Sequence, residues 1–307
     1  MRRLVIGAYR IRALAYAVAV VVLVAVGLST SAPLDERVHR VLAPLAFVAL
    51  ALFILSVVLM FLGPRVLPAH EVRVVSSPVR GRWLGMNSPA TKVPSHGVRM
   101  YGQAYAIDLV HEPEAGPSAG AEAVGGPETA AGVRPVFGSG PAMRRPQEYP
   151  AFGQPVRAMI GGTVVRASGW RRDHRARSNG FGLVYLMVEG MVRELGGPGF
   201  ILGNHVIIRG DDGEFAVLAH LQQHSLNVRR GDVVRAGQQV GRCGNSGNSS
   251  EPHVHAQLMD RPSPLTAQGL PLAFRAIVLD DEAQEQDGLP QNDQHMTASH
   301  LDRELPG

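Results

Sequence analysis

Apolar residues run almost unbroken through residues 13–28 and 41–62, then break into short alternating runs for the rest of the chain. A helix that crosses a bilayer needs about 20 mostly apolar residues, so the second stretch is long enough and the first is marginal. Arg2, Arg3, Arg10 and Arg12 precede the first stretch, and Ser29-Thr30-Ser31-Ala32 after it has the small-residue character of a signal-peptide cleavage region. Pro33 directly behind Ala32 argues against cleavage there. The pattern predicts a membrane anchor over residues 1–65, a transmembrane helical hairpin with a short loop at 33–40. The basic N-terminus belongs on the cytoplasmic side, and two crossings return the chain to that side, in agreement with Arg65, Arg73, Arg80 and Arg82. Long domains translocate despite their charge, so attachment is expected while sidedness stays open.

Beyond the anchor the period changes to two. Short β-type runs at 71–75, 80–84, 105–110, 156–158, 162–165, 204–209, 214–221, 225–228, 232–234, 239–241 and 254–259 are punctuated by Gly. Such spacing predicts an all-β antiparallel core over residues 66–279. Residues 183–195 are apolar at helix-like intervals and predict a helix inserted between strands. Residues 111–150 shift to Ala, Gly, Pro and Glu, the composition of a flexible exposed insertion, and 280–307 read as a disordered acidic tail.

Charge and cysteine usage narrow the partners. Thirty Lys and Arg against 26 Asp and Glu leave a net charge of +4, with Lys92 the only lysine. The arginines are scattered and form no stripe interleaved with aromatics, which speaks against nucleic acid. Cys243 is the single cysteine, so an internal disulfide and a thiolate-rich zinc cluster are both excluded.

The residues able to do chemistry are mostly histidines. In His253-Val254-His255, positions i and i+2 of a strand share a face, so two imidazoles point into one space; two surface histidines at a strand end are the bland alternative. Alternation in Glu214-Phe215-Ala216-Val217-Leu218-Ala219-His220 places His220 in a row with Ala216 and Leu218, as a cleft residue or a satisfied structural histidine. His205, beside Val206 to Ile208, has the same two readings. In Ser95-His96-Gly97 and Ala104-Tyr105-Ala106-Ile107-Asp108, a histidine before a Gly turn is followed by a carboxylate in an apolar run. Burying that carboxylate is costly unless it is paired or coordinated; a turn cap is its alternative, and His111 is a rival ligand.

Several stretches in order resemble the core of lysostaphin-like (LytM-type) zinc metalloendopeptidases, which are peptidoglycan hydrolases. These are Val156-Arg157-Ala158 with Gly161-Gly162-Thr163-Val164-Val165, Gly203-Asn204-His205-Val206-Ile207-Ile208, Ala219-His220-Leu221, Val228-Arg229-Arg230-Gly231-Asp232, Gly241-Arg242-Cys243-Gly244-Asn245-Ser246-Gly247 and Pro252-His253-Val254-His255. The likeness covers about residues 90–110 and 150–262, and leaves out the anchor, the 111–150 insertion and the tail. It implies a zinc ion (Zn2+) held by His96, Asp108 and His255, with His220 and His253 as unligated catalytic imidazoles. The family keeps its first histidine and its aspartate a few residues apart, whereas a longer loop separates His96 from Asp108.

The two apolar runs predict a multi-pass protein of the cell membrane; the resemblance further implies a β domain that lies outside the cytoplasm and hydrolyses peptide bonds in peptidoglycan stems or cross-bridges, with a zinc-activated water and two histidines. A different class of function is open to the same fold: a catalytically inactive LytM-like domain that binds the cell wall or activates another hydrolase. Gly231-Asp232-Val233-Val234 with Gly237-Gln238 also resembles the hairpin of biotinyl and lipoyl carriers, but those need a lysine on the hairpin tip, and Lys92 is far away in sequence.

Overall fold

The computed structural model describes residues 2–30, 36–113, 133–280 and 282–299. The chain divides into two compact units, one of residues 1–70 with 265–267 and one of the remainder. The first holds two helices, α1 (Arg2–Thr30) and α2 (Glu36–Leu62). Both are long and apolar enough to cross a membrane. Their large side chains face outward, as at Leu28, Phe47 and Phe61, and the two pack together with the Tyr16 ring 5.4 Å from that of Phe53. Helices satisfy their own backbone hydrogen bonds, which lets such a surface sit in hydrocarbon. Both helices begin earlier than the apolar runs, because the flanking arginines continue the same helical turns: Arg12 lies over the Tyr9 ring and donates to the Tyr9 carbonyl. The hairpin loop expected at 33–40 is shorter than that: residues 36–40 already belong to α2, and 33–35 fall outside the described residues.

The second unit is built on β1 (Arg73–Val75), β2 (Gly81–Met86), β3 (Ile107–His111), β4 (Met143–Arg144), β5 (Pro155–Arg157), β6 (Gly162–Ser168) and β7 (Ala176–Arg177). Two helices follow, α3 (Gly180–Leu195) and α4 (Pro198–Leu202). Then come β8 (His205–Arg209), β9 (Phe215–Ala219), β10 (Val233–Val234), β11 (Gln239–Arg242), β12 (Val254–Met259), β13 (Gly269–Leu270), β14 (Leu272–Leu279), β15 (Gln286–Gly288) and β16 (His295–Ala298). The main sheet runs β1-β14-β16-β2-β3-β12-β9-β8-β6-β10. Its ladders are antiparallel except for β1 beside β14. The unit is therefore largely β-sheet around an antiparallel centre, and the chain as a whole is not all-β, since α1 to α4 are helical. The helix expected over 183–195 is α3, while the run at 225–228 forms no strand.

At the centre, β3, β12, β9 and β8 are buried along almost their whole length. One face of this centre carries Ile107, Leu109, Val206, Ile208, Ala216, Leu218, Val254 and Ala256, all in the main core. Period-two alternation puts the residues between them on the opposite face. Asp108 lies there directly opposite His255, which in turn lies opposite Ala219.

Residues 282–299 correct the expectation of a disordered tail. β16 lies between β14 and β2, pairing with both, and Met296 is wholly buried. A four-residue strand among polar neighbours carries little hydrophobic signal of its own; it is held by ladders on both sides. Residues 133–150 also depart from the picture of a flexible insertion. β4 pairs with β7, the buried Tyr149 hydroxyl meets Ser178 Oγ at 3.0 Å, and Arg134 bridges Glu251 and Glu112. Residues 114–132 of that insertion lie outside the described residues.

His205 on β8 is 1% exposed, and its Nδ1 donates to the Gly203 carbonyl at 2.8 Å. Burial pushes the imidazole pKa down to about 4, against about 6.5 for the unfolded chain. Both states are then neutral above pH 6.5. Between pH 6.5 and 4 the unfolded chain takes up the proton and the fold does not, so acidification removes stability across that window and no further below it. The loss from this one group is on the order of 3 kcal/mol. His205→Asn, which keeps a donor near Gly203, is expected to flatten the fall in urea midpoint between pH 6.5 and 4 relative to the parent chain.

Candidate metal centre

Asp108 is the middle of the site. It is 6% exposed on β3, and three imidazoles face its carboxylate. His96 Nε2 stands 3.1 Å from Oδ2, His255 Nδ1 2.8 Å from Oδ1, and His253 Nε2 3.5 Å from Oδ1. Asn87 Nδ2 donates to Oδ2 at 2.8 Å. His220 completes the group, its ring 4.7 Å from that of His253 and 5.6 Å from that of His255. All five residues singled out in the sequence therefore meet in one place. His111, the rival ligand, lies elsewhere, its ring 4.8 Å from that of Trp83 and its Nδ1 at the Pro150 carbonyl. His205 turns to Gly203 instead.

The path by which His220 arrives differs from strand alternation. It follows the last residue of β9 and has φ +58°. Ala216 and Leu218 point into the core, and the left-handed step at His220 swings its ring away from their row to the side of His255. Left-handed backbone is unfavourable for a residue with a Cβ, and the neighbouring loop holds it. His220 N–H donates to the Leu202 carbonyl, Gly244 N–H donates to the His220 carbonyl, and His220 Nδ1 donates to the Ser246 carbonyl at 2.8 Å. Ser246 is fixed by Asn204 N–H and the Leu221 carbonyl. This loop sits so close because Gly247 (φ +76°) and Gly203 (φ +66°) cross backbone to backbone. A Cβ on Gly247 would come 2.4 Å from Gly203 N. The glycines near 244–247 thus admit the chain's own backbone.

Outer hydrogen bonds set the tautomer of every imidazole. Ser95 Oγ donates to the Gln103 carbonyl and so accepts from His96 Nδ1 at 3.0 Å. Gln257 Nε2 donates to the Tyr101 carbonyl, which turns Oε1 toward His255 Nε2 at 2.8 Å. His253 Nδ1 donates to the Glu251 carbonyl at 2.8 Å, with Ser249 Oγ beside it. Each neutral ring therefore spends its N–H outward and presents a bare nitrogen lone pair inward. At His96 and His255 those lone pairs face carboxylate oxygens at hydrogen-bond distance. Acceptor against acceptor is repulsive in a buried site unless a proton or a metal cation lies between them. His96, Asp108 and His255 each offer one atom, all within 4.8 Å of one another. Two imidazole nitrogens and one carboxylate oxygen, each imidazole backed by an outer acceptor, are a donor set that suits zinc.

The electrostatics separate the groups. Burial alone would push Asp108 up, but facing His96 and His253 outweigh it and hold the carboxyl well below the usual range. Burial and the neighbouring His253 and His255 push His220 well down. Burial works against a charge on His253 too, but Asp108 outweighs it and raises that imidazole.

Sequence reading missed the supporting residues Asn87, Ser95, Ser246, Ser249 and Gln257. Gln257 alone leaves a trace: it is a polar residue two positions after His255, on the same face of an otherwise apolar strand.

Residues 148–267 match the Peptidase family M23 model. His220, His253 and His255 lie inside the match, while His96 and Asp108 precede it. The chain is similar to the catalytic domain of the antimicrobial peptidase lysostaphin from Staphylococcus simulans, at 29% identity over 38% of this chain and 68% of that one, with a TM-score of 0.27. The same likeness covers 38% of whole lysostaphin, again at 29% identity and a TM-score of 0.27. The catalytic domain of the prophage-encoded M23 protein EnpA from Enterococcus faecalis matches at 24% identity over 45% of this chain and 85% of that one, with a TM-score of 0.25.

Proposed function

We propose that the chain is a membrane-anchored zinc endopeptidase that hydrolyses peptide bonds in peptidoglycan stems or cross-bridges. The observation that carries this reading is the convergence of His96, Asp108 and His255 on one point, with the outer nitrogen of each ring held by an acceptor. Such a set is costly without a proton or a metal cation, and it stands inside and beside an M23 segment.

In this reading His96, Asp108 and His255 hold the zinc, which supplies Lewis acidity toward a carbonyl oxygen and lowers the pKa of water to about 7. Ser95 and Gln257 orient His96 and His255 by accepting their outer protons. His220 and His253 do the proton work. Their Nδ1–H groups are held by the Ser246 and Glu251 carbonyls, so Nε2 is the atom on each that takes a proton from attacking water or returns one to the departing amine. The same two rings, when protonated, stabilise negative charge developing on the scissile carbonyl oxygen. Helices α1 and α2 anchor the chain in the cell membrane, with the peptidase unit on the extracytoplasmic face where the wall polymer lies.

Three experiments test the reading. Elemental analysis of the purified chain is expected to find about one zinc per molecule, with the metal lost in Asp108→Ala and in His255→Ala. His253→Ala is expected to retain the metal and lose hydrolysis of muropeptides; full zinc content in Asp108→Ala would count against the ligand set. Gln257→Leu keeps the side chain's bulk and removes the acceptor behind His255, so competition with a chelator should show zinc affinity lower by about 10–100-fold. A reporter fused after the last strand should be active only outside the cytoplasm, and cytoplasmic activity would remove the wall polymer as substrate.

A further inference from the structure

Helix α3 is turned inside out. A helix on a soluble domain normally buries an apolar stripe and shows its polar residues to water. Here Phe181, Val184, Val188, Met191 and Leu195, spaced three and four apart, form a stripe that is 85%, 61%, 52%, 64% and 75% exposed. The opposite side holds the small and charged residues. Gly182 and Gly190 pack there, where a Cβ would strike the Ala142 carbonyl or press on Asn248. Glu189 pairs with the buried Arg177 and with Arg193, and Glu194 accepts from the Tyr101 hydroxyl. Tertiary ion pairs thus hold the polar side inward and fix the apolar side outward.

The flank of this stripe is mainly basic, since Asp173, the carboxylate in the same loop, accepts from the Gln223 and Asn245 N–H groups. Trp170 and Phe200 are exposed, and the Arg171 guanidinium lies over both rings, at 4.5 Å and 4.6 Å. Arg166 reaches the same spot beside Gly199, and burial, with repulsion from Arg166 added to it, lowers the pKa of Arg171. Arg172 and Arg175 are exposed in the loop leading to α3. Among the described residues no carboxylate forms an ion pair with Arg166, Arg171, Arg172 or Arg175. A protein partner would need a mixed polar rim to match; an apolar stripe edged by tryptophan and unpaired arginine complements acyl chains beneath anionic headgroups.

We propose that α3, with the Trp170–Arg171–Phe200 cluster, is a membrane-binding face that lies in the interface of an anionic bilayer. This contact is separate from any anchoring by α1 and α2. It would hold the peptidase unit flat on the lipid surface, with α3 as its footing, instead of free at the end of a tether.

The full chain, reconstituted into vesicles of phosphatidylcholine and phosphatidylglycerol, tests this with an environment-sensitive fluorophore on Met191→Cys and, as control, on Val233→Cys at an exposed strand position far along the sequence. Cys243 is buried. The label at 191 should show blue-shifted emission that doxyl-labelled lipids quench, and the label at 233 should show neither. Arg166→Gln, Arg172→Gln and Arg175→Gln should each lower the ratio of lipid-inserted to free label roughly fivefold, with zinc content unchanged as a check on folding. Blue-shifted emission without lipid quenching would mean that protein covers the stripe, either a second copy or the chain's own helices, and would overturn the proposal. Water-like emission at 191 would overturn it as well.

Discussion

Everything about the site depends on one electrostatic conflict: a buried carboxylate surrounded by nitrogen lone pairs that the rest of the fold forces inward. The outer partners of His96, His255, His253 and His220 are a serine hydroxyl, a glutamine amide and two backbone carbonyls. All four are acceptors toward the ring that faces them, so the protein has arranged its donors on the outside and its acceptors within. In a low-dielectric pocket that arrangement is costly alone and favourable around a positive charge. The supporting shell is therefore as much a part of the centre as the five residues it orients.

Those supports come from stretches that are distant in sequence. The ring of His220 is aimed by a turn whose backbone geometry is unusual for a non-glycine residue, and that turn is locked by Asn204, Ser246 and the crossing of Gly203 with Gly247. The site is held by backbone packed on backbone, with little side-chain slack. That rigidity suits chemistry in which atoms must be positioned to fractions of an ångström.

Much of this was legible in the chain. The β core, the inserted helix, the paired histidines around Val254 and the carboxylate stranded between Ile107 and Leu109 all follow from period and from the cost of burying charge. The left-handed step at His220 was not, because alternation assumes extended backbone throughout and the loop that imposes the step is 26 residues away at Ser246. β16 was hidden for a related reason. Its ladders to β14 and β2 supply what its four residues lack in hydrophobic signal. The outward stripe of α3 is a third case: its period announces a helix, but which side faces water is decided by Arg177 and Tyr101, which belong to other elements.

The pairing of β3 with β12 has a consequence for how the chain finds its fold. Because side chains alternate, sliding one strand by a single residue would push Asp108 or His255 into the oily layer and expose Ile107 or Val254 in exchange. A slipped sheet would lose its interior and its candidate metal centre together. The centre therefore acts as a proofreader of strand alignment, rewarding only the one arrangement in which both are complete.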